Sequence, residues 1–126
     1  GHESWGQLQG KCALIVEDIK VNQMIVQEFL SKHGVSTLIA ENGKEAVDRM
    51  AAKPAVDFIL MDVQMPVMDG YEVIPKLIDI NPAIKIVVIS ADVQEKAKER
   101  VLSLGAILHV EKPINPIKMK EILEAL

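Results

Sequence analysis

Short apolar runs alternate along this chain with stretches in which apolar positions recur every three or four residues. Cys12–Val16, Ser36–Ala40, Phe58–Met61, Lys85–Ile89 and Ile107–Val110 show little of the polar alternation of a half-exposed strand, so they predict strands covered on both faces. Between them lie helical stripes: Val21, Met24, Ile25 and Phe29 ahead of Gly34, then Ala46, Val47 and Met50, then Tyr71, Ile74, Leu77 and Ile78. Gln94–Leu104 reads as a fourth helix ended by Gly105, and Met119, Ile122, Leu123 and Leu126 as the stripe of a fifth. Asn42 with Glu45 makes a capping-box-like start, which favours a helix over the hairpin that Asn42-Gly43 could also signal. Asp69 with Glu72 could cap the third helix, although Pro75 inside it should kink the helix or cost it a hydrogen bond. Asn115 caps the last helix and Pro116 takes its first position.

Five strand–helix units in succession predict an α/β fold, a doubly wound five-stranded parallel sheet with helices on both faces, because parallel neighbours need right-handed helical crossovers. In such sheets ligands sit beyond the carboxyl ends of the strands.

The 126 residues suit one domain. Residues 1–10 are polar and Gly-rich without periodicity and are expected to be a disordered tag or linker, with residues 11–126 forming the domain. Although 49% of the residues are hydrophobic, their runs are too short to cross a bilayer, so no membrane insertion is expected. Lone Cys12, in an apolar run, reads as core in a reducing compartment, which suggests the cytoplasm. A net charge of −4 and a pI near 5.4 argue against direct nucleic-acid binding.

The predicted strand ends gather chemistry. The first strand runs into Glu17-Asp18, the third into Asp62, the fourth into Ser90-Ala91-Asp92, and the fifth into His109-Val110-Glu111-Lys112-Pro113. Singly each has a plain reading: Asp18 as a helix cap, Ser90 as a turn residue, Lys112-Pro113 as a surface loop. Together, the carboxylates of Glu17, Asp18 and Asp62 repel one another unless a cation joins them, and an all-oxygen set favours Mg²⁺. His33, next to Gly34, reads as a helix C-terminal residue rather than a metal ligand, and His2 as part of the tag.

The segments VED (Val16–Asp18), MDVQMPVMDG (Met61–Gly70), VISA (Val88–Ala91) and EKP (Glu111–Pro113), in this order and spacing, resemble the receiver domain of two-component response regulators, the chemotaxis regulator being the small familiar example. The resemblance spans Lys11 to Leu126, and VEDIKVNQ (Val16–Gln23) leans toward the receivers of hybrid histidine kinases. It implies the flavodoxin-like strand order 2-1-3-4-5. It further implies that Asp62 accepts a phosphoryl group from a histidine kinase or a histidine phosphotransfer domain, and that Glu17, Asp18, Asp62 and the backbone carbonyl of Gln64 hold Mg²⁺. Lys112 would pair with the phosphoryl oxygens, the Ser90 hydroxyl would hydrogen-bond to one of them, and the Lys112–Pro113 bond would be cis. The output partner would bind the fourth helix, fifth strand and fifth helix, and Ser90 would switch that surface. His109 stands where receivers mostly carry a switching Tyr or Phe, so it is either a switch residue of a different kind or a plain strand residue.

Other functions fit less well. A haloacid-dehalogenase-type phosphatase needs a second aspartate two residues after the nucleophile, where this chain has Gln64. A nucleotide or flavin binder needs a Gly-rich phosphate loop or rings for stacking, and aromatic residues are only 3% of the chain. A receiver-like interaction module that is never phosphorylated would have no use for the acceptor constellation. The expectation is therefore a phosphorylation-controlled module that turns over no external metabolite.

Overall fold

The computed structural model describes residue 6 and residues 8–63 and 70–126. Ten elements alternate: β1 (Cys12–Val16), α1 (Lys20–Lys32), β2 (Ser36–Ala40), α2 (Gly43–Ala51), β3 (Phe58–Asp62), α3 (Gly70–Ile80), β4 (Lys85–Ser90), α4 (Glu95–Ser103), β5 (Leu108–Glu111) and α5 (Pro116–Ala125). The strands pair in parallel in the order β2-β1-β3-β4-β5. In register, Val16 lies beside both Ala40 and Met61, Asp62 beside Ile89, and Ser90 beside Glu111.

Successive strand residues enter opposite layers, which is why the central strands are apolar throughout. Leu14, Val16, Ile59, Met61, Ile86 and Val88 pack with Ala46 and Met50 of α2, Val73, Ile74 and Leu77 of α3, and Val101 of α4. Ala13, Ile15, Phe58, Leu60, Val87 and Ile89 pack with Val26 and Leu30 of α1 and Met119, Ile122 and Leu123 of α5. Both cores anchor the strands that lead into Glu17 and end in Asp62 and Ser90, so those side chains project from a rigid edge.

The expected caps form: the Asn42 side chain accepts from the Glu45 N–H and that of Asn115 from the Lys118 N–H, each at 2.9 Å. α3 runs through Pro75, while the Asp69 cap expected for it lies outside the described residues. Gly105 ends α4 at a φ of +119°, in the region open to glycine. β5 runs from Leu108 to Glu111, one residue later than expected, although the Ile107 N–H already donates to the Ile86 carbonyl at 2.9 Å.

Two expectations are corrected. The stripe assigned to the first helix is its exposed face, with Val21, Met24 and Ile25 at 58%, 61% and 49% exposure, while Phe29 is half-buried. The buried face is Gln23, Val26 and Leu30; a polar residue at its head and apolar residues nearly all round hid its direction. The folded unit also begins before Lys11. Leu8 is buried with Leu30 and Val35, and Gly10 donates to the Gly34 carbonyl at 2.8 Å, so the tail of the expected linker is docked.

Candidate functional site

β1 ends at Val16 and the chain turns through Glu17, Asp18 and Ile19 into α1. The Ncap of α1 is Ile19, and no side chain caps it, so the plain reading of Asp18 as a cap does not hold. Glu17, Asp18 and Asp62 instead each place a carboxylate oxygen within 4.8 Å of the others, with Glu17 and Asp62 buried and Asp18 exposed. Lys112, on the turn after β5, brings its Nζ to 2.5 Å from Asp62 Oδ2 and 3.4 Å from Glu17 Oε1. The Lys112 N–H donates to the Ser90 carbonyl at 2.8 Å, which ties that turn to the end of β4, and the Lys112–Pro113 bond is cis as expected.

The electrostatics follow from burial. Desolvation raises the Glu17 carboxyl above its ordinary value, opposed by the hydrogen bond from the Ile19 N–H and reinforced by the neighbouring Asp18 and Asp62. For Lys112, burial works to lower the pKa, but the hydrogen bond and charge of Asp62, and then Glu17, outweigh it and hold the ammonium above its ordinary value. The two directions are compatible because Lys112 lies closer to Asp62 than to Glu17 and relieves Glu17 only in part. Such a cluster has the donor chemistry of Mg²⁺: hard carboxylate oxygens, one of them solvent-facing where metal-bound waters would lie. No ion is present in the structure.

Ser90 is fully buried, and its Oγ accepts from the Asp92 N–H at 3.0 Å. Asp92 does not join the carboxylate cluster; its Oδ1 accepts from the Gln94 N–H in the turn before α4. Gln64 lies outside the described residues. His109 sits on β5 beside Val88, half-buried, and lines a second cavity of about 260 Å³ with Val93, Glu95, Lys98, Lys118 and Glu121. Its Nε2 is buried and has no hydrogen-bond partner among the described residues. His33 is the C-cap residue of α1, its Nδ1 3.0 Å from the Phe29 carbonyl.

The sequence reading missed two features. Gln23 is buried and donates from Nε2 to the Glu17 carbonyl at 2.6 Å. A cavity of about 310 Å³ opens beside Asp62, lined in part by Asn22, Ile25, Val26, Pro113 and Ile114. The signal for both was one residue, a glutamine in helical phase with Val26 and Leu30, whose burial leaves Asn22 and Ile25 lining the cavity.

Residues 13–124 match the family model of the response regulator receiver domain. The chain belongs to that family. Over 114 residues this receiver is 35% identical to the two-component response regulator 24 of Arabidopsis thaliana, covering 90% of this chain and 82% of that protein. It is also 38% identical over 96 residues to the autoinducer 1 sensor kinase/phosphatase LuxN of Vibrio harveyi, covering 76% of this chain but 11% of that protein. Among solved structures, the Saccharomyces cerevisiae Ssk1 receiver domain, crystallised with the histidine phosphotransfer protein Ypd1, superposes with a TM-score of 0.83 at 28% identity, covering 94% of each chain. The receiver therefore carries the two-component signalling fold, and no described helix is long and apolar enough to cross a membrane.

Proposed function

We propose that this receiver takes a phosphoryl group from a phosphohistidine onto Asp62, with Mg²⁺ held by Glu17, Asp18, Asp62 and the backbone carbonyl of Gln64, and that the modified form controls an output partner. The observation that carries this reading is the pairing of three clustered carboxylates with the Lys112 ammonium set against Asp62. An Asp62 oxygen attacks phosphorus; the O–P bond forms as the P–N bond breaks, and the imidazole nitrogen leaves with that electron pair. Such transfers rely on positioning and charge more than on covalent chemistry. Mg²⁺, when bound, supplies positive charge to the carboxylates and the phosphoryl oxygens. Lys112 moves from Asp62 to a phosphoryl oxygen. The Ser90 Oγ accepts from the Asp92 N–H, so its own O–H is left to donate to another phosphoryl oxygen.

A donor of the histidine phosphotransfer kind fits the surroundings of Asp62. Ile25, 49% exposed, lines the cavity that opens at Asp62, and Ile19, Val21 and Met24 at the start of the same helix are 48–61% exposed, which offers apolar surface to a partner that must bring its imidazole there. The output surface in this reading is α4, β5 and α5, where His109 moves as Ser90 closes on the phosphate. Its Nε2, which has no hydrogen-bond partner among the described residues, leaves the ring without an anchor there and supports that role. The receiver would act in the cytoplasm, either alone or as part of a longer regulator or hybrid kinase, and would turn over no external metabolite.

The test is transfer from a phosphorylated histidine phosphotransfer protein. Label should move to the wild-type receiver in Mg²⁺, and neither to Asp62→Asn nor in the presence of EDTA. Equal transfer to Asp62→Asn would overturn the acceptor assignment, and no transfer to wild type from any phosphohistidine or acyl-phosphate donor would favour an interaction module without phosphorylation.

A further inference from the structure

The turn that carries Glu17 and Asp18 is held at every polar group of Glu17. Its N–H donates to the Ala40 carbonyl at 3.0 Å, its Oε2 accepts from the Ile19 N–H at 3.1 Å, and its Oε1 faces Lys112 at 3.4 Å. The remaining group, the backbone carbonyl, accepts from Gln23 Nε2 at 2.6 Å. Gln23 is 6% exposed, on the face of α1 that also buries Val26 and Leu30, and its own N–H donates to the Ile19 carbonyl at 3.1 Å. Burying a primary amide is unfavourable unless it is hydrogen-bonded, and an apolar side chain would suit that face better by transfer alone. The amide is accounted for by what it holds.

We propose that Gln23 is a positioning residue for the metal ligands, fixing the β1–α1 turn so that Glu17 and Asp18 face Asp62 before a cation arrives. The inference rests on the Mg²⁺-dependent phosphoacceptor reading and adds to it the group that sets the ligand geometry. The Glu17 carbonyl belongs to the planar peptide unit that joins Glu17 to Asp18. If the donor is removed, that carbonyl must turn toward water, the plane rotates with it, and the direction of the Asp18 side chain changes. A turn already fixed loses little backbone freedom when the metal binds.

Gln23→Met keeps the length of the side chain and removes the donor. Gln27→Met is the control: Gln27 Nε2 donates to Thr37 Oγ1 at 3.1 Å one turn further along α1, without touching the turn. Mg²⁺ is titrated into each protein and followed by amide shifts well below the melting temperature, and amide exchange is measured without metal. Q23M should bind Mg²⁺ about tenfold more weakly, the scale of losing a partner that orients a ligand. Its Ile19 amide should exchange faster while the strands keep wild-type protection, and Q27M should retain wild-type affinity. Equal affinity in Q23M and Q27M with unchanged Ile19 exchange overturns the proposal. Should Q23M fail to fold, Gln23→Asn keeps the amide but falls one methylene short, and wild-type Mg²⁺ affinity in that variant is equally fatal. If wild type binds no Mg²⁺, the phosphoacceptor reading fails separately; faster Ile19 exchange in Q23M would still support the fixing of the turn, and unchanged exchange would overturn it.

Discussion

Lys112→Met probes the charge balance of the site directly. The substitution removes the ammonium and leaves behind Asp62 and Glu17, whose side chains are 4% and 8% exposed. Removing one partner of a buried ion pair costs about 3–5 kcal/mol, chiefly because the other charge stays buried. Lys112 itself is 24% exposed at its side chain, so water offsets part of the loss and about 3 kcal/mol is expected. For 126 residues, at roughly 2.1 cal/mol/K of unfolding entropy per residue, that lowers Tm by roughly 11 °C. Thermal melts by circular dichroism in EDTA measure it. Saturating Mg²⁺ should shrink the deficit, because a bound cation replaces the missing charge and stabilises the folded state by mass action. Adding Asp62→Asn to Lys112→Met should recover part of the stability relative to the single variant, since one of the two uncompensated charges is gone and only Glu17 remains. A Lys112→Met protein that melts with wild type in EDTA would mean that the buried carboxylates do not depend on this ammonium.

Three further outcomes follow from the same structure. Asp18→Asn removes an exposed carboxylate from the cluster, so it should weaken Mg²⁺ binding in a calorimetric titration while the metal-free Tm stays equal or rises; lower Tm with unchanged affinity would restore Asp18 to a structural role. Because burial raises the Glu17 pKa, its contribution to metal-free stability is present below the ordinary glutamate value and lost as pH rises through the raised folded value, so urea melts of Glu17→Gln should lack that decline. Gly70→Ala would press a Cβ to 2.5 Å from the Val63 Cα, backbone that cannot swing aside, and should destabilise by about 1–3 kcal/mol in denaturant melts.

The sheet was legible because β1, β3 and β4 are buried on both faces, so their residues leave no alternative to a covered parallel strand. The acidic edge was legible for the same reason: a strand whose end is rigid delivers Asp62 to a place that topology alone predicts. The face of α1 was not, since six apolar residues between Val21 and Leu30 offer several stripes and only tertiary packing chooses among them. Gln23 was missed because polar residues are ordinarily exposed, and its burial becomes sensible only with the Glu17 carbonyl beside it. The contact of Arg100 over the Tyr71 ring, at 3.7 Å, joins α3 to α4 across a sequence gap that no local pattern encodes. Leu8 was likewise invisible, an apolar residue in a polar, Gly-rich segment without periodicity, and it joins the core that also holds Leu30 of α1 and Val35 ahead of β2.

In the proposed function one carboxylate, Asp62, becomes an acyl phosphate. Treatment with acetyl phosphate and Mg²⁺, followed by borohydride reduction and peptide mass mapping, reads the position, because reduction converts an aspartyl phosphate to homoserine. Homoserine is expected at residue 62 alone, dependent on Mg²⁺ and lost with EDTA. Homoserine at Asp18 or another carboxylate, or an unmodified Asp62 under conditions where Mg²⁺ is shown to bind, would contradict it.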